Sequence, residues 1–162
     1  ESAVKYFQRR NGLSADGIVG SATAAALGMT LSGSSGGSSG SAGGSVTSSD
    51  LNLLARVVYG EARGEAYVGQ VAVAAVVLNR VESASFPNTI AGVVYQSGAF
   101  DCVADGQINL TPDSTAVKAA QDALNGWDPT YGCLFYYNPA TATSAWMLSR
   151  PVKLAIGNHN FC

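Results

Sequence analysis

The sequence predicts an α+β fold, mainly helical, with a small β-sheet. Three observations carry that expectation. Apolar residues recur at helical spacing from Leu51 onward, residues 70–78 are apolar on nearly every helical face, and two short runs near the C-terminus are rich in aromatic or β-branched residues.

The chain has 162 residues and begins with a short segment, residues 1–29. Ala3, Val4 and Phe7 mark the apolar face of one helix that stops near Asn11-Gly12, where a glycine suits a helix end. Asp16-Gly17 is a turn signal, and Ser21 is a good N-cap for a helix over 22–27. Two helices this short cannot enclose a core, so the segment reads as part of a domain. Residues 30–49 follow, dominated by Ser and Gly, as in Ser34-Ser35-Gly36-Gly37-Ser38-Ser39-Gly40. Such a stretch cannot bury enough apolar area to offset its ordering entropy, and as a coil it would span roughly 25 Å. A tether of this kind joins something that holds to something that acts.

Residues 50–162 form the expected main domain. Asp50 can cap a helix over 51–59, which places Leu54, Val57, Val58 and Glu61 on one side. Gly60 and Gly64 are expected to loosen or end that helix around Glu61. A second helix over 65–80 should be the buried central one. Pro87-Asn88 followed by 89–95 suggests a third helix, and 112–125, closed by Gly126, a fourth. Residues 135–138 and 152–156 read as short strands, and the surroundings of His159 as a terminal strand.

Composition narrows the function. Apolar residues make up 47% and charged residues 12%, which allows a real core and argues against a disordered tail. A net charge of −2, with no Lys/Arg-rich stripe, leaves no electrostatic footprint for nucleic acid or acidic lipid. No run approaches the about 20 apolar residues of a membrane span. The chain starts at Glu1 without a basic end and apolar stretch, and Glu1 reads as a processed or truncated start, so the lack of a secretory signal says nothing about export. Cys102, Cys133 and Cys162 lack the paired spacing of a zinc site; one disulfide or three free thiols both fit, with Cys102–Cys133 the first pair to test. Neither a metal nor a cofactor is expected.

Glu61 is the leading chemical candidate. A carboxyl half-sunk among apolar side chains resists ionisation and can hold a proton for a leaving oxygen. The ordinary alternative is a solvated Glu near a helix end, paired with Arg63. Glu65 competes, but in a first helical turn a Glu is favoured by the helix dipole alone. A two-carboxylate glycosidase would need a partner roughly 5 to 9 Å away, for which Asp101 and Asp105 qualify by type. The single histidine, His159, does not suffice for a multi-histidine zinc amidase, and no Gly-x-Ser-x-Gly elbow stands outside the tether. A Cys-His pair remains open by count, although no residue context marks an activated thiolate. Phe135, Tyr136, Tyr137 and Asn138, with Trp127 and Trp146, fit either a core or a sugar-binding groove. Strand alternation would put Tyr137 on the face opposite Tyr136.

The run Ala55-Arg56-Val57-Val58-Tyr59-Gly60-Glu61-Ala62-Arg63-Gly64-Glu65 resembles the signature of the SleB/CwlJ cell wall hydrolase family. So do residues 69–81, Val103-Ala104-Asp105-Gly106-Gln107-Ile108, Tyr136-Tyr137-Asn138-Pro139 and Ile156-Gly157-Asn158-His159-Asn160-Phe161. The likeness runs from Asp50 to Cys162. Val4-Lys5-Tyr6-Phe7-Gln8-Arg9-Arg10-Asn11-Gly12-Leu13, with Asp16-Gly17-Ile18-Val19-Gly20, is similar to the second half of a peptidoglycan-binding domain whose first half is missing.

The resemblance implies a lysozyme-like catalytic domain and lytic transglycosylase activity on spore cortex glycan bearing muramic-δ-lactam, during germination. It implies Glu61 as the catalytic acid and assigns Gln107, Tyr137, Asn138 and His159 to the glycan groove or its support. An exported monomer acting on peptidoglycan in the spore cortex or cell wall is expected. An N-acetylmuramoyl-L-alanine amidase and a simple muramidase are the alternatives.

Overall fold

The computed structural model describes residues 3–13, 26 and 47–162. The expected Asp16-Gly17 turn, the Ser21 cap and nearly all of the Ser/Gly tether lie outside the described residues. Helix α1, Ala3–Arg10, ends at the anticipated Asn11-Gly12 turn. The main domain then runs α2 (Ser48–Ala62), α3 (Tyr67–Glu82), α4 (Ile90–Val94), α5 (Asp101–Ala104), a 3₁₀ turn (Gln107–Asn109), α6 (Ser114–Leu124), β1 (Tyr136–Tyr137), α7 (Ala145–Leu148), β2 (Leu154–Ile156) and β3 (His159–Phe161). This is an α+β fold, mainly helical, with one small antiparallel sheet of order β1-β3-β2.

Helix α2 differs from expectation at both ends. It starts at Ser48, because Thr47 is the N-cap: its Oγ1 accepts from the Asp50 amide at 3.2 Å, and Asp50 Oδ2 accepts from the Thr47 amide at 3.0 Å. Asp50 is therefore the third residue of a capping box and not the cap itself. At the other end the helix continues through Gly60 and Glu61 to Ala62. The glycine does not break it, since packing of an apolar face outweighs a propensity cost of about 1 kcal/mol.

Helix α3 is the buried central helix that the sequence predicts, with every residue from Gly69 to Arg80 buried. One side packs with α2 and α6 through Val71, Val73, Ala74 and Val77. Another side carries Ala72 and Val76 against Cys133 and Phe161, and so seats the sheet. Each fully buried Val contributes roughly 1.5–3 kcal/mol, which fixes α3 as the reference for both halves. Thr89 caps α4 and Asp113 caps α6, close to the expected positions. In the sheet Tyr136 pairs with Phe161 and Tyr137 with Asn160, while Leu154, Ala155 and Ile156 pair with Phe161, Asn160 and His159.

Candidate active site

The end of α2, the start of α5 and the inner edge of the sheet enclose a groove of about 590 Å³. Glu61 lines it and is only half-buried. Its carboxylate is fixed from two sides. The Cys102 amide, at the head of α5, donates to Oε1 at 2.8 Å, and the Tyr136 hydroxyl, from β1, donates to Oε2 at 3.0 Å. Two elements far apart in sequence thus hold one carboxyl group in a fixed orientation toward the groove.

The approach of α5 to α2 is made possible by Gly60. A Cβ at that position would lie 2.6 Å from Cys102 Cβ, closer than any real contact. Burial and the neighbouring Glu61 push the Cys102 thiol well above its ordinary range. It is therefore a neutral thiol, a poor candidate for the activated nucleophile of a Cys-His peptidase. Burial also raises the Tyr136 hydroxyl well above 10, reinforced by the adjacent Glu61 charge, so it remains a proton-bearing donor.

All four residues assigned to the groove by resemblance line it beside Glu61. Gln107 is held by Asp105, whose carboxylate accepts from its backbone amide at 3.0 Å and its side-chain amide at 2.8 Å. The Tyr137 hydroxyl accepts from Asn160 Nδ2 at 3.5 Å, and Asn138 Oδ1 accepts from the Ala140 amide at 2.9 Å. His159 stacks edge-on to Tyr136 with ring centres 5.0 Å apart. Desolvation lowers its pKa, against the opposing pull of the Glu65 and Glu61 carboxylates. Both Tyr136 and Tyr137, neighbours in the short strand β1, line the groove.

Glu65 is not among the groove residues. Its carboxylate is nearly buried and clasps the β2–β3 turn, accepting from the Asn158 amide at 3.3 Å and from Asn158 Nδ2 at 3.1 Å, with His159 Nδ1 at 3.8 Å. Gly157, at φ +57°, adopts the left-handed conformation that favours glycine, and a Cβ there would press on Glu65 Oε2. Asp101 and Asp105 line the same groove as Glu61 and are exposed.

Three groups that line or orient the groove lie outside the site residues the sequence singled out: the Cys102 amide, Tyr136 and Arg80. The Cys102 amide has no side-chain signature. Tyr136, which by sequence fits either core or groove, lines the groove and packs on the core. Arg80 carried a readable signal, a charged residue closing an otherwise apolar helix, since such residues are rarely buried without a purpose. The Trp127 and Trp146 question resolves against the core, as they are 43% and 56% exposed. The Cys102–Cys133 pair does not form: all three cysteines are free, with Cys102 in the helical core and Cys133 in the cluster under the sheet.

Fold and groove together define a helix-rich domain with an oriented carboxyl group in an open cleft, an architecture suited to acting on an extended polymer. The chain belongs to the Cell Wall Hydrolase family, whose model matches residues 64–162, and a peptidoglycan binding domain model matches residues 1–27. It is 61% identical over 116 residues to the spore cortex-lytic enzyme of Bacillus cereus, covering 72% of this chain and 45% of that protein. The corresponding enzyme of Halalkalibacterium halodurans is 58% identical over 116 residues, covering 72% and 35%. The cell wall hydrolase CwlJ of Bacillus subtilis is 30% identical over 122 residues, covering 71% and 85%. The chain thus spans less than half the length of the cortex-lytic enzymes it matches. The crystal structure of the catalytic domain of Bacillus cereus SleB superposes with a TM-score of 0.69 at 61% identity, covering 72% of this chain and 91% of that one. The catalytic domain of the germination-specific lytic transglycosylase SleB from Bacillus anthracis gives 0.69 at 60% identity, covering 72% and 95%.

Proposed function

We propose that this chain is a lytic transglycosylase that cleaves peptidoglycan glycan strands of the spore cortex during germination, with Glu61 as both general acid and general base. The observation that carries the reading is the Glu61 carboxylate, lining a groove and oriented by the Cys102 amide and the Tyr136 hydroxyl. The similarity to spore cortex-lytic enzymes and to SleB catalytic domains supports the substrate class.

In the reaction, protonated Glu61 delivers its proton to the glycosidic oxygen as the bond from that oxygen to the muramic C1 breaks. The C6 hydroxyl of the same sugar then bonds to C1, closing a 1,6-anhydro ring, and its proton passes to the Glu61 carboxylate. Glu61 ends as it began, and no water is consumed. One carboxyl group serves both steps because the intramolecular hydroxyl replaces an activated water. Gln107, Tyr137, Asn138 and His159 bind or support the glycan on either side of Glu61.

Residues 1–29 act as a peptidoglycan-binding segment, residues 30–49 as a linker and residues 50–162 as the catalytic domain. The protein works outside the cell membrane, as an exported monomer. A second reading, a simple muramidase, is favoured by one observation: Asp101 and Asp105 share the groove with Glu61 and offer a second carboxylate. Separating the released muropeptides from cortex sacculi decides between them. Anhydro-muramic ends made by the native chain and lost in Glu61→Gln support the transglycosylase, whereas reducing ends support the muramidase.

A further inference from the structure

Arg80 is a charged side chain in an apolar place. It closes the buried stretch of α3 and is only 6% exposed. Its guanidinium carbon lies 5.2 Å from the ring centres of Phe86, Phe100 and Phe135. Nε donates to the Leu134 carbonyl at 2.7 Å. No carboxylate among the described residues forms an ion pair with it, although Glu61, Asp101 and Asp105 share its groove. Burial accordingly lowers its pKa.

Two Nη groups remain. Neither makes a hydrogen bond to a described residue, and neither is sealed from solvent. Arg80 lines the groove, and among the described groove residues it is the one cation. A caged guanidinium with its fork unspent is costly to maintain unless an oxygen acceptor arrives. Lysine would not serve equally, because a planar fork stacks among aromatic rings and presents paired donors to a carboxylate or carbonyl.

We infer that Arg80 forms a substrate subsite that receives an acceptor oxygen from the lactyl substituent of the muramic residue, whether carboxylate or amide carbonyl. The subsite rests on the peptidoglycan reading above. It gives the groove a means of distinguishing muramic residues, which carry that substituent, from glucosamine residues, which do not. The three Phe rings hold the guanidinium in place, and the Leu134 carbonyl fixes the direction of the fork.

The test uses the whole chain as Glu61→Gln, so that ligands are bound and not cut. Arginine side-chain Nε–Hε resonances are followed by NMR during titration with three tetrasaccharides. These are the alternating glucosamine–muramic acid glycan with free lactyl carboxylate, the same glycan as its lactyl amide, and chitotetraose, which lacks the substituent. The expected result is saturable movement of the Arg80 resonance and affinity about tenfold or more above that of chitotetraose, in line with one charge-assisted hydrogen bond. Binding of the acid alone identifies a carboxylate, and equal binding of the amide identifies a carbonyl oxygen. Arg80→Lys, checked for an unchanged thermal melt, should remove the preference. Equal affinity for all three glycans, an unmoved Arg80 resonance, or a preference kept in Arg80→Lys would overturn the subsite. Because the readout is binding, loss of anhydro-ended products in the native chain would sink the reaction and leave the subsite standing.

Discussion

The Cys102 backbone amide donates to Glu61 Oε1 at 2.8 Å, across 41 positions of sequence, and Gly60 makes that contact possible. A Cβ on residue 60 would collide with Cys102 Cβ, which is attached directly to the backbone that supplies the donor. Gly60→Ala should therefore push α5 outward and lengthen the hydrogen bond. We expect kcat to fall by about 10- to 100-fold, since small misplacements of a catalytic group carry costs of that order, with a stability loss of about 1–3 kcal/mol. Steady-state kinetics beside urea unfolding checks both. Unchanged kcat would show that the Cys102 donor does not matter to the chemistry.

Tyr136→Phe removes the second orienting donor and keeps the ring that packs on Phe161 and His159. The expected outcome is a kcat loss of about tenfold or more with KM nearly constant. In the native chain the Tyr136 hydroxyl stays protonated to well above pH 10. Its ionisation should not contribute to the pH–rate profile through the neutral and mildly alkaline range. A raised KM with unchanged kcat in the variant would place Tyr136 in binding instead.

The backbone of this account was readable in the sequence where apolar spacing is long and regular. Residues 70–78 specify α3, and Thr89 and residues 112–125 mark two capped helices. Short elements were not readable. Helix α5 has four residues and α7 has four, too few for periodicity to register, and they are held by tertiary contacts. Within the site, side-chain candidates were legible through family motifs, whereas the Cys102 amide depends on chain path alone. Arg80 was hidden by the strength of its apolar context, although that context is what marks it. Between one disulfide and three free thiols the sequence left the choice open, because cysteine count says nothing about which cluster each thiol enters; the three are free.

Asp128 organises the loop that leads into β1. Its carboxylate accepts from the Thr130 amide and hydroxyl at 2.8 and 2.6 Å, from Asn79 Nδ2 at 3.0 Å and from the Gly132 amide at 2.8 Å. Burial pushes its pKa up, but these hydrogen bonds outweigh burial and hold it below the ordinary value. A depressed carboxyl contributes stability that is present above the unfolded value of about 3.9 and lost as pH falls through the folded one. Asp128→Asn should cost about 1–3 kcal/mol at neutral pH and weaken the acid dependence below about pH 4. Denaturation at several pH values measures both effects. An unaltered acid limb in the variant would contradict the assignment.

His159 is the single histidine, so its titration can be read without ambiguity. Desolvation holds its folded pKa below 6.5 despite the nearby carboxylates. The imidazole is therefore neutral at pH 7. Its contribution to stability is present above the unfolded value of 6.5 and is lost as pH falls through the folded one. An NMR titration should give a midpoint below 6.5, whereas a midpoint above it would mean that Glu65 dominates over burial.

The central claim is that Glu61 cuts the glycan by intramolecular transfer. Digestion of purified cortex peptidoglycan in H₂¹⁸O, followed by mass spectrometry of the new ends, tests it most directly. The native chain should produce 1,6-anhydro-muramic ends that carry no ¹⁸O, and Glu61→Gln should produce none. Reducing ends labelled with ¹⁸O, or full cleavage by Glu61→Gln, would contradict the claim.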